Sequence, residues 1–87
     1  MILDKELDRM RWAARRGMLE LDLVLGPFVE QRYSSLSEVD KKHFQNLLLS
    51  EDQDLFSWFL RRQQPEDEEL LDIVQQILDH TLSPTDG

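Results

Sequence analysis

Apolar residues recur at three- and four-residue steps along most of this chain, and few residues interrupt them. That spacing is the strongest constraint on the fold, because it gathers the apolar side chains of each segment on one face of a helix. Three glycines and three prolines punctuate the chain, at Gly17, Gly26-Pro27, Pro65 and Pro84-Thr85-Asp86-Gly87. No run alternates apolar and polar residues with β-branched enrichment, so strand signals are nearly absent. A first helix is expected over about 3–15, with Leu3, Leu7, Met10 and Ala14 as its apolar stripe. Gly17 follows as a C′ residue that can take positive φ. A second helix is expected over about 18–32, kinked at Pro27, where one backbone donor is lost. Ser37 caps a third, with Val39, Phe44, Leu47 and Leu48 facing inward. Ser50 opens a fourth and forms a capping box with Gln53; its inward face is Leu55, Phe56, Phe59 and Leu60. Pro65 reads as the first-turn proline of a fifth helix, whose N-terminal dipole Glu66, Asp67, Glu68 and Glu69 complement. Leu70, Leu71, Val74, Ile77 and Leu78 form its apolar face.

At 87 residues the chain is one domain, able to hide about 60% of the surface of its unfolded form. It has no cysteine, so disulfides, thiolate nucleophiles and Cys-ligated zinc are excluded, and the core alone must hold the fold. The expectation is an all-α, single-domain five-helix bundle over 1–87, ordered over about 3–82. The start, Met1-Ile2-Leu3-Asp4-Lys5-Glu6, lacks the basic and apolar regions of a signal peptide. The longest unbroken apolar run is three residues, against the ~20 that span a bilayer. A cytoplasmic protein with no membrane insertion is expected.

With 10 basic and 18 acidic side chains the net charge is −8, which argues against nucleic acid and anionic membrane surfaces as partners. The charge is uneven. Residues 1–32 hold six basic and six acidic side chains, and residues 33–87 hold four and twelve. Residues 9–16 carry four arginines and no acid, directly before Gly17.

Catalytic constellations are missing. Neither His43 nor His80 belongs to a metal spacing such as His-Glu-x-x-His, and both read as solvated helix histidines. Ser34, Ser35 and Ser37 lie near His43 without a strand–turn–helix elbow to hold a nucleophile. No glycine-rich loop cradles a phosphate. This points to a binding protein with no stably bound cofactor and no metal. On the first helix, Arg9, Trp12 and Arg16 cluster opposite the apolar stripe. An exposed Trp among guanidinium groups is typical of a binding hot spot; helix geometry equally allows a Trp covered by the second helix or the tail, or stacked under an arginine. The second helix is apolar on most sides. Met18, Leu21, Val24, Leu25, Phe28 and Val29 make one face, and Leu19, Leu23, Gly26 and Pro27 lie on or near the other. Such a helix is central in the bundle or shared with a partner.

Arg16-Gly17-Met18-Leu19-Glu20-Leu21-Asp22 resembles the Arg-Gly-x-x-Glu-x-Asp signature of the succinate dehydrogenase assembly factor family, also called the SdhE or flavinator family. Arg9-Met10-Arg11-Trp12-Ala13-Ala14-Arg15 before it, Pro27-Phe28 and Tyr33-x-x-Leu36 after it, and Asp54-Leu55-Phe56-x-Trp58 extend the resemblance over about residues 5–80. It implies a small, bacterial, five-helix protein that is not itself an enzyme. Such a protein assists attachment of FAD to a histidine of the flavoprotein subunit of succinate dehydrogenase, and in bacteria often of fumarate reductase too. The FAD belongs to that partner. The resemblance also implies that Arg16, Gly17, Glu20 and Asp22 form the working surface, with Met18 beside them. Helix geometry adds Arg9, Trp12 and Arg15 as flank contacts. A monomer is expected. The alternatives are an antitoxin-like or transcriptional regulatory protein, for which only the first helix is basic, and an enzyme that binds flavin directly.

Overall fold

A computed structural model describes residues 5–82 of the chain. Five helices follow in order: α1 (Lys5–Ala14), α2 (Leu19–Arg32), α3 (Glu38–Leu47), α4 (Asp52–Phe59) and α5 (Glu68–Leu82), with a single 3₁₀ turn at Tyr33–Ser35. No strand occurs among the described residues. The all-α expectation therefore holds. Leu3, assigned above to the first helix, and the Pro84-Thr85-Asp86-Gly87 segment lie outside the described residues.

The second helix is the central one: α1, α4 and α5 all pack on it, and α3 packs on α5. It runs unbroken through Pro27. Its buried side is Leu21, Leu25, Phe28 and Val29, while Leu19 and Leu23 remain exposed. Met10 and Ala14 come in from α1, Phe44, Leu47 and Leu48 from α3 and its end, and Leu55 and Phe59 from α4. The α5 contribution is Ile73, Val74, Ile77 and Leu78. Phe44 is the aromatic hub, its ring centroid 5.6 Å from those of both Phe28 and Tyr33. The hydroxyl of the buried Tyr33 donates to Glu6 of α1 and accepts from Gln45 Nε2 of α3 at 2.8 Å. Burial, reinforced by Glu6, pushes its pKa up to about 12.

Helix ends account for most departures from the sequence reading. Ser37 caps α3 as expected, its hydroxyl accepting from Asp40 N at 3.0 Å. Ser50 does not open α4: the helix begins one turn residue later, after Glu51, and no capping box with Gln53 forms. Pro65 is not in the first turn of α5 but buried ahead of it, and Asp67 caps the helix by accepting from Glu69 N at 2.8 Å. Leu60 is exposed because α4 stops at Phe59 and Arg61 turns into positive φ (62°), so the apolar stripe is cut off before it. Val39 is exposed because, at 100° per residue, it lies about 130° from the stripe of Phe44, Leu47 and Leu48. Tyr33 and Ile73 belong to the core although the spacing did not single them out.

The histidines are not solvated. His43 is 15% exposed between α3 and α5, and its Nδ1 is buried without a hydrogen-bond partner among the described residues. His80 meets Phe28 edge-on at 5.7 Å, its Nε2 lies 3.0 Å from Gln31 Oε1, and its Nδ1 is likewise buried without a partner among the described residues. Burial, with Arg32 nearby, pushes the His80 imidazole below its ordinary value.

Candidate functional site

The link between α1 and α2, residues 15–18, is built by its own motif. Gly17 has φ of 80°, a conformation that costs an L residue about 1–2 kcal/mol. A Cβ there would meet nothing within 4 Å among the described residues, so the glycine answers to backbone conformation and not to crowding by them. It stands within the link and does not close α1, which already ends at Ala14. Asp22, in the first turn of α2, reaches back and accepts from Arg16 N at 2.9 Å. That bond ties the two sides of the Gly17 turn.

The Arg16 side chain departs from the helical-wheel placement beside Trp12, because α1 ends before it and the wheel no longer applies. Its guanidinium is folded inward and 16% exposed. Nη1 donates to Ala13 O at 3.0 Å and to Leu48 O at 3.0 Å, and Nη2 donates to Ser50 O at 2.8 Å. Nε pairs with Asp52 Oδ1 at 2.8 Å. Ala13 and Leu48 sit at the C-terminal ends of α1 and α3, and Asp52 is the first residue of α4. One guanidinium thus caps the negative ends of two helices and holds the acid that opens a third. The sequence held no local sign of Asp52, Leu48 or Ser50 in this role, since they are 32 or more residues away from Arg16.

What the turn leaves on the surface is different chemistry. Glu20 is exposed and makes no hydrogen bond or ion pair among the described residues; Met18 is half-buried. Trp12 is 74% exposed, which excludes a Trp covered by α2. Arg15 lies over its ring, 5.9 Å from the centroid. Leu19 and Leu23 continue the apolar surface along α2, and Leu49 stands exposed between the two carbonyls that Arg16 holds. The four-arginine stretch is less cationic than it reads. Arg11 is paired with Glu30 at 2.6 Å and Asp8 at 2.7 Å, and its hydrogen bonds hold the Glu30 carboxyl below the usual carboxylate range. Arg16 is paired with Asp52. Arg9 and Arg15 are exposed and make no ion pair among the described residues. A groove of about 290 Å³ runs between α1 and α2, lined by Arg15, Asp22 and Gly26 among others. A side chain at Gly26 would project into open space there.

A turn of this composition invites comparison with known proteins. The family model described as flavinator of succinate dehydrogenase matches residues 8–81. The chain belongs to the flavinator of succinate dehydrogenase family. Among curated flavinator-family relatives, the FAD assembly factor SdhE of Pseudomonas syringae pv. tomato is 51% identical over 79 residues, covering 91% of this chain and 94% of the relative. The protein of the same name from Pseudomonas aeruginosa is 50% identical over 76 residues, covering 87% of this chain and 90% of the relative. That of Idiomarina loihiensis is 50% identical over 74 residues, covering 85% and 82%. The flavinator match spans all five helices. No helix among the described residues is long and apolar enough to cross a membrane.

Proposed function

We propose that this chain is an assembly factor that binds the flavoprotein subunit of succinate dehydrogenase and promotes covalent attachment of FAD to it. Supporting this are the family membership and the names of the relatives. The observation that carries the reading is the division of labour within the motif. Arg16, Gly17 and Asp22 build and hold a turn by contacts inside the molecule. Glu20, Met18, Trp12, Arg9 and Arg15 are left to meet a partner. The FAD and the bond-forming histidine belong to the partner, so this chain is not an enzyme: it binds and orients. Bringing the histidine and the flavin methyl to about 3–3.5 Å in the right geometry is enough for a large rate effect. The factor acts as a monomer in the cytoplasm, and the same surface serves the flavoprotein subunit of fumarate reductase.

The test is co-expression with a succinate dehydrogenase flavoprotein subunit in a bacterial host lacking its own factor, reading protein-linked flavin by in-gel fluorescence. The wild-type chain restores the signal. Trp12→Ala and Glu20→Ala keep the wild-type thermal midpoint, since neither side chain supports the fold, yet weaken the signal several-fold. Undiminished fluorescence in both variants would overturn the assignment of this surface; no restoration by the wild type would overturn the function.

A further inference from the structure

We propose that Asp40, His43 and Asp72 form a binding site for a divalent transition-metal ion of the zinc type between α3 and α5. One ligand atom from each of the three lies within 4.8 Å of the others. Asp40 and His43 are three residues apart on α3, and Glu69 and Asp72 are three apart on α5. On a helix that spacing points both members of a pair to the same face. A carboxylate and a histidine at this spacing, opposed by carboxylates of a neighbouring helix, is the donor arrangement with which helical bundles hold metal ions.

The imidazole is the second, independent observation. Nδ1 of His43 is buried and has no hydrogen-bond partner among the described residues. It lies 3.8 Å from Asp40 Oδ1, beyond hydrogen-bond reach, while Nε2 lies 3.8 Å from Glu69 Oε1. A hidden polar nitrogen without a partner is costly, and a coordinated cation would satisfy its lone pair. Glu69 stands on the other side of the ring, where a small side-chain shift brings its carboxylate into reach of the remaining ring N–H, the partner by which a ligating histidine fixes its tautomer. The framework is positioned in advance. Asp40 N is held by the Ser37 cap, and the Asp72 carboxylate accepts from Gln76 Nε2 at 3.1 Å. No Lys or Arg forms an ion pair with Asp40, Glu69 or Asp72 among the described residues, so a dication meets uncompensated negative charge. One imidazole and two carboxylates suit zinc, cobalt or nickel, whereas calcium and magnesium prefer oxygen alone. Bonds of about 2.0–2.2 Å put donor atoms roughly 3.4 Å apart, so side-chain rotation by about 1 Å closes the site. The site shares no residue with the Gly17 turn.

The experiment titrates the untagged full chain with zinc chloride, by calorimetry and by ¹H–¹⁵N NMR of the imidazoles. One saturable site is expected, with the His43 ring nitrogens shifted and the thermal midpoint raised. His43→Ala and Asp72→Asn abolish saturation; Asp72 is exposed, so its variant keeps the fold whatever happens to His43→Ala. Glu69→Gln weakens binding by about tenfold. His80→Ala binds as the wild type. No saturable zinc binding, binding that survives both His43→Ala and Asp72→Asn, or equal affinity for magnesium would each overturn the proposal.

Discussion

Arg16 carries the first charge of the family motif, and its guanidinium is engaged wholly inside the molecule. The geometry explains why an arginine stands there. Three nitrogens of one rigid fork reach Ala13, Leu48, Ser50 and Asp52 at once. A lysine ammonium is a single point and cannot serve the carbonyls of Leu48 and Ser50 together with the carboxylate. Arg16→Lys is therefore expected to destabilise by about 2 kcal/mol, because partly buried carbonyls lose their donors. Asp52→Ala is expected to cost less, about 1 kcal/mol, since Asp52 is 40% exposed and water screens its half of the pair. Both are measured by urea denaturation. Wild-type stability for Arg16→Lys would show that the clamp does not support the fold. The motif was legible in the sequence as a string of residues, but its inward and outward members were not separable there. That separation depends on where α1 ends, and the spacing of Leu7, Met10 and Ala14 does not mark that end.

Helix interiors were read well from spacing and helix boundaries were not, for physical reasons visible at particular ends. Phe44, Leu47 and Leu48 lie on a stripe that any regular helix must bury, so periodicity finds them. Asp67 was chosen over Pro65 as the start of α5 because its carboxylate reaches Glu69 N, a preference shared by several nearby acids. His80 shows the same limit for a contact between elements. Its neighbours on α5 give no hint that Phe28 and Gln31 of α2 cover it. Around the ring lie Arg32 from the end of α2 and Asp79 on its own helix. Because burial lowers its folded pKa beneath the unfolded value near 6.5, the neutral ring stabilises the fold fully above that pH. The contribution is lost as pH falls from about 6.5 through the lowered folded pKa. His80→Gln should flatten the fall in urea midpoint between about pH 7 and pH 5 relative to the wild type. An equally steep fall in the variant would mean that other groups carry the acid sensitivity.

Across the whole molecule, the net charge of −8 conceals two regimes. Residues 1–32 are balanced, and pairing of Arg11 with Glu30 and of Arg16 with Asp52 leaves Arg9 and Arg15 as the outward cations beside Trp12. Residues 33–87 hold the whole excess of acid. Much of it complements helix N-termini: Glu38 and Asp40 on α3, Asp52 and Asp54 on α4, Glu68 and Glu69 on α5. Dipole complement is local, however, while repulsion among acids on the α3–α5 side is summed over the surface and opposes the compact state. Salt screens both, and it screens exposed repulsion at a Debye length of about 10 Å at 0.1 M far more than the partly buried Arg16 clamp. Raising sodium chloride from about 0.02 M to about 0.5 M is therefore expected to raise the thermal midpoint. The gain should shrink when Glu66 and Glu69 are replaced by glutamine, which removes part of the repulsion without touching the core. A midpoint that falls with salt would mean that the exposed pairs of Arg11 outweigh the acidic surface, and that the excess charge is tolerated because the helix ends hold it.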